Sequence, residues 1–275
     1  MLRRFLKVNV GRGMRPALWV LTLAAMAAAA HAQEDFVPEG ETWVIENPTA
    51  WARLRGEYAA SIGVEPFVVR GEIGVLDYLT VGISYGGVDV FGSAAPTMNP
   101  RPGFQAKFRI TNGGPIMPAV AVGYDDQGHG KYYEFDPHRE GQNVDYDRYQ
   151  FKAKGFYLVL SQELELLGAL GLHLGGSYNV IEDKDDSDPD IFAGLEKSLG
   201  PHLMLLGTYD VGLNDNSPKS LGMGRGYLDA GVRWRVTENF NLEFWFTNLL
   251  ENQVEVLHDE GAYARMLYLT YIGSF

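Results

Sequence analysis

Chemistry in this chain would have to come from a few clusters of carboxylates, imidazoles and hydroxyls. The stretch "YDDQGHGKYYEFDPHREG" carries Asp125, Asp126, His129, Glu134, Asp136 and His138. Two imidazoles among carboxylates suit a divalent metal, but their spacing follows no closed zinc or calcium pattern. A solvated loop with Gly-Asp turns is the better reading. "EDKDDSDPD" sets Asp186, Asp188 and Asp190 at alternate positions, like the start of a calcium loop. The glycine needed at its sixth position is Ile191 and the glutamate needed at its twelfth is Lys197, so the helical calcium motif fails. His173 and Ser177 could form a base–nucleophile pair. On one strand, residues four apart stand about 13 Å from each other, too far for direct proton transfer. No "GxSxG" elbow is present, and "GMGRG" at 222–226 lacks a strand-turn-helix setting for phosphate. The sequence therefore predicts no catalytic residue, no metal and no cofactor.

The elements that would position these residues are strands. There are 33 Gly, 15 Tyr, 14 Phe and 5 Trp, and the hydrophobic period is two rather than 3.6. "GFQAKFRIT" sets Phe104, Ala106, Phe108 and Ile110 against Gln105, Lys107, Arg109 and Thr111. "YLDAGVRWRV" sets Leu228, Ala230, Val232, Trp234 and Val236 against Tyr227, Asp229, Gly231, Arg233 and Arg235. "NFNLEFWFT" alternates in the same way, with Glu243 on its polar face. Eleven such segments are clear, and "ARLRGEYAAS" at 52–61 supplies a twelfth. Short links such as "LDY", "SLGP" and "TEN" alternate with long polar ones near 87–103, 125–151, 180–189, 211–225 and 249–263. Short turns on one side and long loops on the other are the pattern of an outer-membrane barrel.

The ends of the chain fit the same compartment. "MLRRFLKVNVGRGMRP" is basic, "ALWVLTLAAMAAAA" is apolar, and Ala30-His31-Ala32 is a small-x-small site. That order predicts a signal peptide at 1–32. Removing its five basic residues takes the formal charge from −12 to −17, which excludes nucleic acid as a partner. There is no cysteine, hence no lipid anchor or disulfide. At the other end, Leu267, Leu269, Tyr271 and Phe275 are alternate and apolar, like the C-terminal signal read by the barrel-insertion machinery. Gly273 interrupts the alternation. The expectation is an all-β chain: a single transmembrane antiparallel barrel of about twelve strands at 52–275. A periplasmic N-terminal segment at 33–51 precedes it. The barrel would lie in the outer membrane of a Gram-negative bacterium, among outer-membrane lipid and lipopolysaccharide.

In such a barrel the polar face lines the lumen. The basic residues assigned to it are Arg53, Arg55, Arg70, Lys107, Arg109, Arg233 and Arg235. The acidic ones are Glu57, Glu72, Glu196, Asp229 and Glu243. A mixed set in a narrow bore predicts ion pairs that plug it rather than an open pore. Several stretches resemble the YjbH-type outer-membrane barrels associated with exopolysaccharide and capsule production. They are "PAVAVGYDDQGHGKYY" at 118–133, "KGFYLVLSQEL" at 154–164, "LGLHLGGSYN" at 170–179 and "DIFAGLEKSLGP" at 190–201. The resemblance covers about residues 115 to 210, and this chain is far shorter than the long members. It implies a polysaccharide partner and an envelope transport or assembly role, with no catalytic residues. A small porin for anionic oligosaccharides is one alternative, and a barrel-borne hydrolase is the other.

Overall fold

The computed structural model describes residues 41–91, 95–135, 145–182, 186–218, 220–254 and 264–275. The expected signal peptide lies outside the described residues. Twelve antiparallel strands close into one barrel. In chain order the strands are β1 (Trp43–Val44), β2 (Asn47–Pro48), β3 (Glu57–Val64), β4 (Phe67–Leu76), β5 (Leu79–Val88), β6 (Thr97–Met98) and β7 (Gly103–Asn112). They continue with β8 (Ala119–Asp125), β9 (His129–Phe135), β10 (Asp145–Phe151), β11 (Gly155–Glu165) and β12 (Ala169–Tyr178). The last five are β13 (Asp190–Ser198), β14 (Leu203–Asp210), β15 (Tyr227–Thr237), β16 (Phe240–Thr247) and β17 (Ala264–Ser274). The wall is formed by β3, β4, β5, β7, β8 and β11 to β17, and the pairing of β17 with β3 closes it.

Strand faces follow the alternation of the sequence. Along β7 the odd-numbered residues Gly103, Gln105 and Lys107 are buried, while Phe104, Ala106, Phe108 and Ile110 are exposed. On β15 and β16, Arg233 and Glu243 point inward, with Trp234 and Phe244 outward. Exposed Phe, Leu, Ile and Trp thus cover the outside while charges are buried inside, the reverse of a water-soluble domain. Two-residue turns such as Asp77-Tyr78 and Glu238-Asn239 lie at the end where the chain terminates. The long connections lie at the opposite end. Short turns are periplasmic in this architecture, so the long connections face outward from the cell.

The seam explains Gly273. It pairs with Tyr58 of β3, and a Cβ at 273 would sit 2.6 Å from the Tyr58 ring. Tyr58 fills the place that a large side chain at 273 would take, packing against Tyr271 and Phe275 with ring centroids 6.3 and 5.0 Å apart. Leu267, Leu269 and Tyr271 share this outer face, and Phe275 is 91% exposed.

Two expectations are corrected. The first wall strand is β3 at 57–64 rather than 52–61, because Arg53 turns inward to meet Glu72 and Gly56 turns the chain with φ 81°. Residues 41–51 do not lie in the periplasm. They form a hairpin inside the barrel, with Trp43 opposite Pro48 and Val44 opposite Asn47. The long connection 125–151 is also more than a loop, since β9 and β10 form a hairpin beyond the wall.

Candidate functional site

The lumen is filled by the 41–53 segment, here termed the plug. Two faces of it are apolar and meet inward-facing apolar side chains of the wall. Val44 and Ile45 pack with Met204, Leu206, Trp245 and Met266. Ala50 and Trp51 pack with Ala119, Ala121, Tyr157, Val159 and Phe192. A water-filled lumen has no use for inward Met, Leu and Phe, and burying them against the plug removes their surface from water. Glycines on the wall open the room these rings need. A Cβ at Gly123 would lie 2.3 Å from the Tyr157 ring, and one at Gly175 would lie 2.2 Å from Phe192.

Polar groups tie the plug to the wall at every level. Nearest the periplasm, Asn241 donates to Glu41 at 2.8 Å. Higher up, Glu72 accepts from the Thr42 hydroxyl (2.8 Å), the Trp43 indole (2.6 Å) and Arg53 (3.3 Å). Lys107 donates to the Thr42 carbonyl at 2.6 Å, and Arg233 donates to the Trp43 carbonyl at 3.0 Å. The Trp43 ring lies under two cations, with Arg70 at 4.2 Å and Lys107 at 5.0 Å from its centroid. Arg233 also bridges Glu196 (2.5 Å) and Glu243 (2.7 Å), and all three side chains are almost wholly buried. These pairs sit where the Coulomb attraction is strong and the desolvation cost is high, so each depends on the others being present.

The residues assigned to the lumen divide by depth. Arg53, Arg70, Glu72, Lys107, Glu196, Asp229, Arg233 and Glu243 are buried within it. Glu57 is half-buried and pairs with Arg53 at 3.2 Å. Arg109 and Arg235 are half-buried at the periplasmic rim, where Arg109 donates to the Asp77 carbonyl at 2.8 Å. Arg55 is not in the lumen. It is exposed on the turn before β3, and its backbone N–H donates to Asp77.

His173 does meet a serine, but across the ladder rather than along its own strand. Ser161 of β11 lies opposite His173 of β12, with Oγ 2.7 Å from Nδ1. His173 Nε2 stands 3.5 Å from Glu196. Ser161 Oγ also accepts the Ala50 N–H of the plug at 2.7 Å, and it is buried. This Ser-His-Glu row is buried and tethers the plug through the Ala50 N–H. Cross-strand pairing cannot be read from residue spacing, which is why the sequence pointed to Ser177 instead.

At the outer end, the Ile45-Glu46 turn of the plug meets β9. His129 Nδ1 is 3.4 Å from Glu46. The contact has the distance of an ion pair, but burial, with Arg70 and Lys154 nearby, pushes the His129 pKa down to about 3, so the imidazole is neutral. Arg148 is wholly buried and donates to both oxygens of Asp215, at 2.6 and 3.0 Å. Asp215 in turn receives the Tyr227 hydroxyl. Glu182 receives the N–H groups of Tyr149 and Ala153, each at 2.8 Å. These bonds fold the outer hairpin down onto the barrel mouth. Of the earlier metal candidates, Asp125 pairs with Arg70, Asp126 accepts from the Phe104 N–H, and Glu134 is exposed. Asp136 and His138 lie outside the described residues.

Among the described residues, the lumen holds cavities of about 40 and about 30 Å³. Each has room for a few waters, far below the roughly 300 Å³ of the smallest ordinary ligand pockets. The fold and this filled lumen define an outer-membrane-type β-barrel in a closed state. No family model matches the chain, and no curated protein matches it. Among solved structures, the KdgM porin aligns with a TM-score of 0.41 at 7% identity, covering 80% of this chain and 99% of the porin. OmpF of Salmonella typhi, in complex with daunomycin, aligns at 0.30 and 13% identity, covering 75% of this chain and 61% of OmpF. The barrel assignment rests on the closed strand ladder itself.

Proposed function

We propose that this protein is an outer-membrane conduit held shut by its own N-terminal plug, and that cargo passes only when the plug is displaced. The observation that carries this reading is the plug itself. Residues 41–53 fill the bore, and wall residues Met204, Leu206, Trp245 and Met266 are apolar where they face it. A permanently open porin would wet those side chains. A purely structural barrel would have no need to expend Glu72, Lys107 and Arg233 on a removable segment.

The cargo follows from the resemblance to YjbH-type barrels, which favours exopolysaccharide export. A second reading, uptake of anionic oligosaccharides, is favoured by Arg70, Lys107 and Arg233. These three would face an emptied lumen with their plug partners gone. The hydrolase reading has the least support, because Ser161 and His173 are sealed beneath Ala50. Deleting the gene and complementing it separates the first two. Loss of secreted polysaccharide with oligosaccharide uptake intact supports export. Loss of acidic oligosaccharide uptake with secretion intact replaces it with the porin. If both persist, the conduit reading fails.

A further inference from the structure

The lipid-facing surface of the wall is not evenly filled. A groove of about 490 Å³ crosses it over β5, β7, β8, β11 and β12, more than ten times the volume of either lumen cavity. It falls within the roughly 300–1,000 Å³ of ligand pockets. Two rows of outward side chains, set by the ladder register, bound it. Leu79, Phe108, Val122, Leu158 and Gly176 stand opposite one another in succession along one row. Ala106, Tyr124 and Phe156 form the next. Ala106 and Gly176 are small where their row neighbours are Phe, Tyr and Leu, and this difference in bulk opens the hollow. Packing does not demand a glycine at 176. Within 4 Å, a Cβ there would meet only the Asp190 carbonyl oxygen, at 3.4 Å.

The groove opens on the face whose exposed Phe, Leu and Ile meet lipid, so hydrocarbon rather than water is what it holds. Tyr124, Phe156 and Gly176 lie within two residues of the outward ends of β8, β11 and β12, which puts the upper mouth of the groove in the outer leaflet. Arg101, half-buried on the connection before β7, acts electrostatically on Tyr124 at that mouth. Asp126 stands there too, its carboxylate taken up by the Phe104 N–H and the Tyr124 hydroxyl. A cation at the lip suits an anionic headgroup better than a zwitterionic one. We infer that the groove is a binding site for one acyl chain of lipopolysaccharide, the anionic glycolipid of the outer leaflet, with its phosphate toward Arg101. A chain that leaves the bilayer for the groove gains no hydrophobic free energy, since both surroundings are apolar. It gains dispersion contact on several sides, with Phe108, Phe156 and Leu158, in a hollow that would otherwise be poorly filled. The inference rests on the outer-membrane placement and not on what the conduit carries.

The test is native mass spectrometry of the purified mature protein in mild detergent, with lipopolysaccharide or phosphatidylethanolamine added at equal concentration. The wild type should retain one lipopolysaccharide per chain and little phosphatidylethanolamine. G176L puts a side chain into the groove and should lose most of the retained lipopolysaccharide while thermal unfolding stays unchanged. G207L makes the same change on β14, outside this groove, where a Cβ would meet nothing within 4 Å. It should retain lipopolysaccharide like the wild type. If G176L does not fold, A106L fills the same groove and is read in the same way. Equal retention by the wild type and the filled variant would overturn the assignment, because lipid would then be held all round the barrel. Equal retention of the two lipids by the wild type would overturn the choice of lipopolysaccharide. A dimer that forms without lipid and that G176L abolishes would also overturn it, by giving the groove to a second copy of the chain.

Discussion

Replacing Arg233 with alanine probes the centre of the lumen. Its guanidinium holds Glu196 at 2.5 Å, Glu243 at 2.7 Å and the Trp43 carbonyl at 3.0 Å. Without it, Glu196 keeps only His173 at 3.5 Å, and Glu243 keeps the Trp245 indole at 2.7 Å. Removing one partner of a buried pair costs about 3–5 kcal/mol, chiefly because the remaining charge is stranded. Here two carboxylates are stranded, one of which retains a good donor, so a loss at the upper part of that range is expected. Arg235 lies two residues along the same strand at the half-exposed rim, where an ion pair contributes about 0–1 kcal/mol. Urea unfolding followed by tryptophan fluorescence should therefore separate R233A sharply from R235A. The triple change R233M/E196Q/E243Q should regain most of the loss, since it removes the stranded charges along with their partner. If R233A unfolds within about 1 kcal/mol of the wild type, the lumen is wet and the network is not the buried structure described.

Three other perturbations test separate parts of the molecule. Val232 pairs with Leu205 and Phe244 on the lipid face, so V232R should cost about 2–4 kcal/mol if it lies near the bilayer midplane. A soluble-protein-like tolerance at that position would show the strand register to be wrong. G273L should slow barrel assembly in a heat-modifiability gel, because its side chain would collide with Tyr58, and Y58A should partly rescue it. Assembly of G273L at the normal rate would refute the seam packing. Burial alone would raise the Asp215 carboxyl, but the Arg148 guanidinium outweighs it and holds the pKa below its usual value. The unfolded chain therefore takes up this proton first on acidification. The stabilisation is fully present above about pH 4 and is lost as pH falls through the lowered folded value. The stability gap between wild type and D215N should be wide at neutral pH and close in acid, and a gap that widened in acid would contradict the pairing.

Most of the wall was legible because its period is two and its faces differ. Phe104, Phe108, Trp234 and Phe244 could face only lipid once Lys107, Arg233 and Glu243 faced inward. The strand count and the loop asymmetry followed from the same pattern. The plug was not legible, because "ETWVIENPTAW" is too short to show a period and several of its partners lie more than a hundred residues away. Asn47 meets Ala193, and Ala50 meets Ser161. Two signals were nonetheless present. Trp43 and Trp51 are costly residues to leave in a periplasmic tail, and the inward positions of β14 hold Met204 and Leu206 where a wet lumen would want polar groups. The rim and the core of the lumen were not told apart, since Arg233 and Arg235 share a face and differ only in depth. Ser161 and His173 were missed because register across a ladder depends on turn length, which side-chain types do not encode.

The hairpin at 41–51 fills the bore and closes the barrel. Planar-bilayer recording of the purified mature protein, beside a variant lacking residues 41–51, tests this most directly. The intact protein should pass little or no steady current, and the shortened one should open discrete steps through a bore freed of Trp43, Ile45 and Trp51. A steady current of equal size in both would contradict the account.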